Sequence, residues 1–206
     1  MIYKISFIFA FFFIYAVIGY IVETLFTSTS IKKITFKRGY LFGPYIPIYG
    51  IGSLVMSILL TRYKDNIILL FIMGVLICGI LEYLTSYLME KIFNLRWWDY
   101  HHSKYNINGR VNLQNSILFG LGGILIIKLI NPVLLKIMLK IPKKIMIGIN
   151  IFVEIIFTID FIGTTIITSK CKNLNIDLKN IDATEYIKEK NIKVLKELKL
   201  KLINKM

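Results

Sequence analysis

The sequence predicts an all-α membrane protein: a polytopic bundle of about five transmembrane helices with a basic amphipathic C-terminal helix. Hydrophobic residues make up 56% of the 206 residues, and the mean hydropathy is +0.65. A soluble globular domain contains ~45–50% apolar residues. Several apolar stretches approach the ~20 residues that a helix needs to cross the hydrocarbon core.

Five spans are predicted, over residues 5–26, 45–60, 67–89, 116–139 and 145–168. The second is short and begins with Pro47, Gly50 and Gly52. We therefore expect an irregular start, which a membrane tolerates only where protein or water covers the backbone. Pro132 is expected to kink the fourth span near its end. Residues 1–168 form the predicted transmembrane domain, and residues 169–206 form a cytoplasmic basic tail.

The net charge of +14, from 26 Lys and Arg against 12 Asp and Glu, favours membrane lipids over nucleic acid as the partner. Basic residues are more numerous in the first and third loops and in the tail than on the other side. The positive-inside rule then places the N-terminus outside the cell membrane and the C-terminus in the cytoplasm. In the tail, an apolar stripe among lysines predicts the amphipathic helix, over Ile192, Leu195, Leu198 and Leu202.

Three glutamates lie in different predicted spans: Glu23, Glu82 and Glu154. Ionisable residues within a membrane are costly, and most are functional or paired. They predict a polar pocket, while a purely structural role remains the alternative. Glu82 continues a narrow stripe of small and polar residues spaced every fourth position, namely Gly74, Cys78, Glu82 and Ser86.

Two conspicuous loops flank these spans. The first contains Arg38 and the Gly43-Pro44 pair. The second contains Trp98, Asp99, Tyr100, Asn106, Gly109 and Arg110. Gly109 permits a positive φ, and the aromatics suit the membrane interface. Asp99 is a carboxylate that an aromatic belt does not need, so we expect it to pair with Arg38, Arg96 or Arg110.

Arg38 and Arg110 are candidates for bidentate phosphate or lipid contact, with simple membrane anchoring as the alternative. His101 and His102 are adjacent and have no third ligand at metal spacing. We predict no metal and no cofactor. The sequence contains no Walker motif, so ATP hydrolysis by that route would need another protein.

Several blocks in order resemble one known family: RGYLFGPYIPIYGIG, LEYLTSYLMEKIFNLRWWDY, and NINGR followed by SILFG. They resemble the ABC-transporter type IV family of small bacterial membrane proteins, whose members are named ABC transporter permeases. The resemblance covers about residues 7–123. It implies a transport subunit in the plasma membrane that works with a separate ATPase. By analogy with larger transporters, so few spans imply a homo-oligomer.

Three functions stay open at this point. The first is a transport component whose carboxylates Glu23, Glu82 and Glu154 line a polar path. The second is a membrane-embedded enzyme acting on a phospholipid or polyprenyl lipid at the cytoplasmic face. Its acid and base groups would come from Glu23, Glu82 and Asp99. The third is a structural or regulatory partner that binds anionic lipid through its tail. Both functional hypotheses predict that Glu82, Asp99 and Arg110 lie near one another and near Glu23.

Overall fold

The computed structural model describes residues 1–31 and 39–172 of the chain. Within these residues, the helices in chain order are α1 (Ile2–Ile31), α2 (Pro47–Leu60), α3 (Ile67–Phe93), α4 (Leu113–Leu125), α5 (Asn131–Lys140) and α6 (Lys143–Lys172). A 3₁₀ turn covers Thr61–Tyr63, and a π-helical segment, Ile126–Ile130, joins α4 to α5. The antiparallel strands β1 (Asn106–Ile107) and β2 (Val111–Asn112) form a short hairpin between α3 and α4.

Four helical segments in the described part of the chain are long and apolar enough to cross a membrane. They are Ile2–Thr29, Ile67–Phe93, Leu113–Lys140 and Lys143–Ser169. This confirms the predicted all-α polytopic fold. The remaining predicted span corresponds to α2, which has 14 residues and is about 21 Å long at 1.5 Å per residue. Because the hydrocarbon core is ~30 Å thick, α2 alone crosses only part of it.

The two ends of the bundle are defined by α1 and α6, which run side by side in the same direction. Asn150, near the start of α6, donates a hydrogen bond to the Ser6 carbonyl near the start of α1 at 2.7 Å. Beyond α1, Tyr40 packs on Phe93 at the end of α3 and hydrogen bonds Thr165 near the end of α6. The connections after α1 and α3 and the end of α6 therefore lie together, at what we call the loop end.

Close packing between α3 and α4 depends on two glycines that face each other. A Cβ added at Gly74 would lie 3.3 Å from the Gly120 Cα. A Cβ added at Gly123 would lie 3.3 Å from the Met56 sulfur of α2. Small residues let helices approach closely in a membrane. The glycines of α4 therefore bring α2, α3 and α4 together around the interior described below.

The fourth predicted span is interrupted, as Pro132 predicts, but the irregularity is a π-helical turn before the proline. Proline has no N–H for the carbonyl four residues earlier, and its ring crowds that carbonyl, so the preceding turn widens. Asn131 lies at this junction and is buried. It accepts a hydrogen bond from the Tyr15 hydroxyl at 2.6 Å and donates to Ser57 at 2.9 Å. These bonds tie the junction to α1 and α2.

Residues 39–46, which we call the re-entrant segment, lead into α2 inside the bundle. The Ile46 N–H donates at 2.9 Å to the carbonyl of Ala16, a fully buried residue in the middle of α1. The N–H groups of Phe42 and Gly43 donate to the Asp160 carboxylate of α6 at 3.1 and 2.8 Å. The second span thus begins irregularly, and protein groups satisfy its backbone.

Candidate functional site

The Glu82 carboxylate lies in the interior of the bundle, and the residue is 5% exposed. The predicted stripe on α3 is buried along its whole length. The Glu82 Oε1 atom accepts a hydrogen bond from the Tyr100 hydroxyl at 3.0 Å. The Oε2 atom is buried and has no hydrogen-bond partner among the residues that the structure describes. A buried, unpartnered carboxylate oxygen is energetically costly, which singles out Glu82 as the centre of the candidate site.

Two tyrosines, an asparagine and a second glutamate surround Glu82. The Tyr100 hydroxyl accepts a hydrogen bond from the Asn115 amide at 2.8 Å. The Tyr49 hydroxyl donates to Glu23 Oε1 at 2.6 Å. Glu23 and Tyr49 both lie within electrostatic range of Glu82. We call these five residues the carboxylate cluster. It joins α1, α2, α3, α4 and the loop before β1.

The position of Tyr49 depends on a glycine in α1. A Cβ added at Gly19 would overlap the Tyr49 ring. Gly19 and Glu23 are four residues apart and lie on one face of α1. The same face therefore lets α2 approach and presents the carboxylate that Tyr49 binds.

The hairpin between α3 and α4 positions Tyr100. Asn108 and Gly109 have φ values of +52° and +67°, which are typical of a tight type I′ turn. Asn106 Oδ1 accepts a hydrogen bond from the Gly109 N–H at 2.8 Å. The Gly109 carbonyl in turn accepts from the Tyr100 N–H at 2.8 Å. The turn residues noted in the sequence thus fix the backbone from which Tyr100 reaches Glu82.

Burial and the neighbouring Glu82 carboxylate raise the pKa of the Tyr100 phenol above its ordinary value. The phenol therefore keeps its proton at neutral pH and donates a hydrogen bond to the Glu82 carboxyl group. It can donate to the carboxylate form or to the carboxylic acid form of Glu82, since an oxygen of either form accepts hydrogen bonds.

An arginine clamp fastens the hairpin to α3. The Arg110 guanidinium is buried, forms an ion pair with Glu90 and donates to Ser86 Oγ at 3.2 Å. It also lies over two tyrosine rings of α3. Glu90 also forms an ion pair with Arg96, at 2.9 Å. The Trp98 indole donates to the Arg110 carbonyl at 2.9 Å. The guanidinium expected to contact phosphate is thus enclosed by protein groups.

Asp99 faces the outer side of the hairpin. It accepts a hydrogen bond from the His101 N–H at 2.9 Å and pairs with the His101 ring. Of its expected partners, Arg96 and Arg110 both pair with Glu90 instead, and Arg38 lies outside the described residues. Burial raises the pKa of Asp99, but the hydrogen bonds from His101 lower it by more. The pKa of Asp99 therefore lies below the ordinary value. Neighbouring residues point in opposite directions, which sends Tyr100 inward and Asp99 outward. Asp99 is therefore not part of the carboxylate cluster.

Asp160 is a site residue that the sequence analysis did not select. It accepts two backbone N–H groups of the re-entrant segment, and the Tyr45 hydroxyl at 2.6 Å. The Thr164 hydroxyl donates to it at 3.0 Å. Gly43 of the predicted Gly43-Pro44 pair supplies one of these N–H groups, and Pro44 is exposed. An aspartate within an apolar span is the signal that could have found this anchor.

Glu154 does not join the other two glutamates. It is exposed on α6 and lines a shallow groove. The residues of α6 that face the bundle include Asn150, the partly buried Phe157 and Thr164, and Asn150 is the polar contact to α1. Glu154 therefore lies outside the interior in which the sequence predicts a polar pocket.

The carboxylate cluster can hold a proton or a cationic group. Two carboxylates face two hydroxyl groups and an amide, and neither Glu23 nor Glu82 forms an ion pair with a basic residue in the described ranges. Such groups in a membrane interior mark ion or substrate pathways and proton relays in many proteins. Arg38 lies outside the described residues.

The family model described as Putative ABC-transporter type IV matches residues 10–165. The match runs from α1 into α6 and includes the carboxylate cluster, the re-entrant segment and the arginine clamp. No curated protein and no solved structure matches the chain. Because the match covers more than half of the chain and the four apolar helices suit a multi-pass membrane protein, the chain belongs to this ABC-transporter type IV family.

Proposed function

We propose that the protein is the permease-like membrane subunit of an ATP-driven transporter, and that a separate subunit hydrolyses the ATP. Membership of the family supports this function. The observation that carries it is Glu82, a carboxylate with an unpartnered oxygen in the interior of the described bundle. Glu82 and Glu23 line the start of the proposed path.

The helix next to this carboxylate also suits transport. Helix α2 begins inside the bundle, after the re-entrant segment, and carries Tyr49 close to its first residue. Interrupted helices of this kind recur beside the substrate sites of membrane transporters, because their free backbone groups and helix ends can bind polar cargo. Here the interruption lies beside two carboxylates, so the cargo or coupling group would carry positive charge.

The loop end is the proposed cytoplasmic side and the docking face for the ATPase. The basic first and third loops and the tail favour this orientation by the positive-inside rule. It places the N-terminus outside the cell membrane. The hairpin at this end is held by the arginine clamp, so it can transmit a force between the ATPase and α3.

The lipid-enzyme alternative finds no support among the described residues. Asp99 points away from Glu82, and Arg110 is bound to Glu90. The proposed acid, base and phosphate-binding groups therefore do not converge on one substrate position.

Affinity capture of the tagged protein from its native membrane, with mass spectrometry of what it retains, tests the function. We expect a protein with a nucleotide-binding motif to be retained by the original chain. Arg110→Ala should lose it, because the hairpin is released from α3. Arg62→Ala is the matched control, since Arg62 is exposed in the 3₁₀ turn after α2. Capture of a phospholipid or polyprenyl phosphate without any ATPase would contradict the proposal.

A further inference from the structure

Two opposite charges lie on the outer, apolar surface of the bundle. Lys128 is exposed on the π-helical segment, and its neighbours Leu125 and Leu129 are 53% and 60% exposed. Glu154 is exposed on α6, beside Ile155, which is 54% exposed. Neither charge forms an ion pair within residues 1–31 and 39–172. Both side chains would face the lipid acyl chains if the chain were alone in the membrane.

Both charges lie far from either membrane surface. Lys128 is near the middle of the span Leu113–Lys140, and Glu154 is near the middle of Lys143–Ser169. A charged side chain at this depth is unfavourable, and such residues almost always face a partner or water. A lysine stem can reach a nearby interface, but a mid-span position is too deep for a carboxylate to do so.

The two charges lie at the same depth. Lys128 precedes Lys140 by twelve residues, and Glu154 follows Lys143 by eleven residues. At 1.5 Å per residue these separations are about 18 Å and about 17 Å. Lys140 and Lys143 flank the short turn between α5 and α6. Measured from that shared turn, the two charges differ in depth by only about 1.5 Å.

Equal depth is what contact between two copies of one chain requires. Copies that insert in the same orientation are related by an axis along the membrane normal, and rotation about that axis preserves depth. We propose that copies of this chain associate in the membrane through an ion pair between Lys128 of one copy and Glu154 of the next. Opposite charges at one depth fit a second copy better than a lipid.

The surface around Glu154 suits a lysine side chain. Glu154 lines a groove of about 270 Å³ with Thr158 and three isoleucines of α6, namely Ile151, Ile155 and Ile159. The isoleucines can cover the apolar stem of a lysine, and Thr158 offers a second acceptor beside the carboxylate. Helix α6 packs on α1 through Asn150 and Phe157, whereas Glu154 is exposed. The groove is thus open to a neighbouring molecule.

Charge reversal in two differently tagged copies tests this interface. A Lys128→Glu copy carries two negative charges at the proposed contacts, and a Glu154→Lys copy carries two positive charges. In a two-fold dimer each variant repels itself, whereas one copy of each restores both ion pairs. We expect co-capture between identical variants to fall at least tenfold, and co-capture between the two different variants to return to the original level. The rescue itself shows that both variants fold.

The neutral variant Lys128→Met separates pairing from lipid contact. If Lys128 faced lipid, methionine would leave co-capture unchanged; the ion pair predicts that it falls. Ile80→Glu is the control, since Ile80 is 59% exposed and lies mid-span on α3. An Ile80→Glu copy should not restore co-capture of the Glu154→Lys copy. A monomeric original chain, unchanged co-capture with Lys128→Met, or equal rescue by Ile80→Glu would each overturn the proposal.

Discussion

The Tyr100 hydroxyl connects the hairpin to the carboxylate cluster, and its removal tests whether the cluster is a coupled unit. It donates to Glu82 at 3.0 Å and accepts from Asn115 at 2.8 Å. Tyr100→Phe keeps the ring and removes only this oxygen. The buried Glu82 carboxylate then has neither oxygen paired among the described residues.

The expected cost follows from burial. A buried acceptor that loses its partner costs about 1–3 kcal/mol. Asn115 is only half-buried and can turn to water, so it adds little. Tyr100→Phe should therefore lower the free energy of unfolding by about 1–3 kcal/mol. In a Glu82→Met background no carboxylate is stranded, so the same change should cost less than about 1 kcal/mol.

The assay is reversible unfolding in mixed micelles, followed for all four members of this double-mutant cycle. Tyr105→Phe is the control, because Tyr105 is 62% exposed and should change stability by less than about 0.5 kcal/mol. Independent effects at separate sites add within about 0.5 kcal/mol. If Tyr100→Phe costs the same with and without the Glu82 carboxylate, the coupling is refuted.

Three further outcomes follow from the site. Asp160→Ala should leave two backbone N–H groups without their acceptor, at a cost of about 1–3 kcal/mol of stability each. Faster hydrogen exchange at Gly43 should report this loss. Gly74→Val should force α3 from Gly120 at a cost of about 1–3 kcal/mol, seen as a lower melting temperature in detergent. The pKa of Asp99 lies below its ordinary value. Its stabilising contribution is therefore present above about pH 4 and is lost as pH falls through the lowered pKa. The intrinsic fluorescence of the loop tryptophans should report that acid transition, and Asp99→Asn should remove it.

Each of these three variants has a matched control. Thr158→Ala changes a polar residue of α6 away from the re-entrant segment and should leave exchange there unchanged. Gly79→Val is placed in α3 where an added Cβ would meet only a Val111 methyl at 4.0 Å, so it should shift melting less than Gly74→Val. Asp65→Asn removes an exposed carboxylate between α2 and α3 and should leave the acid transition of the loop in place. Equal effects of a variant and its control would refute the corresponding explanation.

Helical periodicity predicted which side chains of α3 point inward. The small residues of α3 mark the face that meets α4, and Gly19 and Glu23 mark the face of α1 that meets α2. A residue spacing determines a helix face wherever the helix is regular. The turn at Gly109 was also readable, because few residues adopt a positive φ.

Contacts between residues that are far apart in the sequence could not be predicted from helical periodicity. The Tyr100 and Glu82 contact depends on the path of the hairpin, and Asp160 meets the re-entrant segment across more than a hundred residues. Glu154 was grouped with Glu23 and Glu82 because all three lie in apolar spans, and a position within a span does not show whether a side chain faces the interior or the outer surface. The orientation in the membrane, the cytoplasmic tail and the domain boundary at residue 168 remain predictions, and the tail from residue 173 lies outside the described residues.

ATP turnover by the complex captured from native membrane and reconstituted in vesicles tests the proposed transport function most directly. The account predicts that the original chain and Asp65→Asn support ATP hydrolysis by the retained subunit. Glu82→Gln should still retain that subunit but lower turnover at least tenfold, because the path loses its central charge. Undiminished turnover with Glu82→Gln, or a captured chain that brings no ATP hydrolysis with it, would contradict the account.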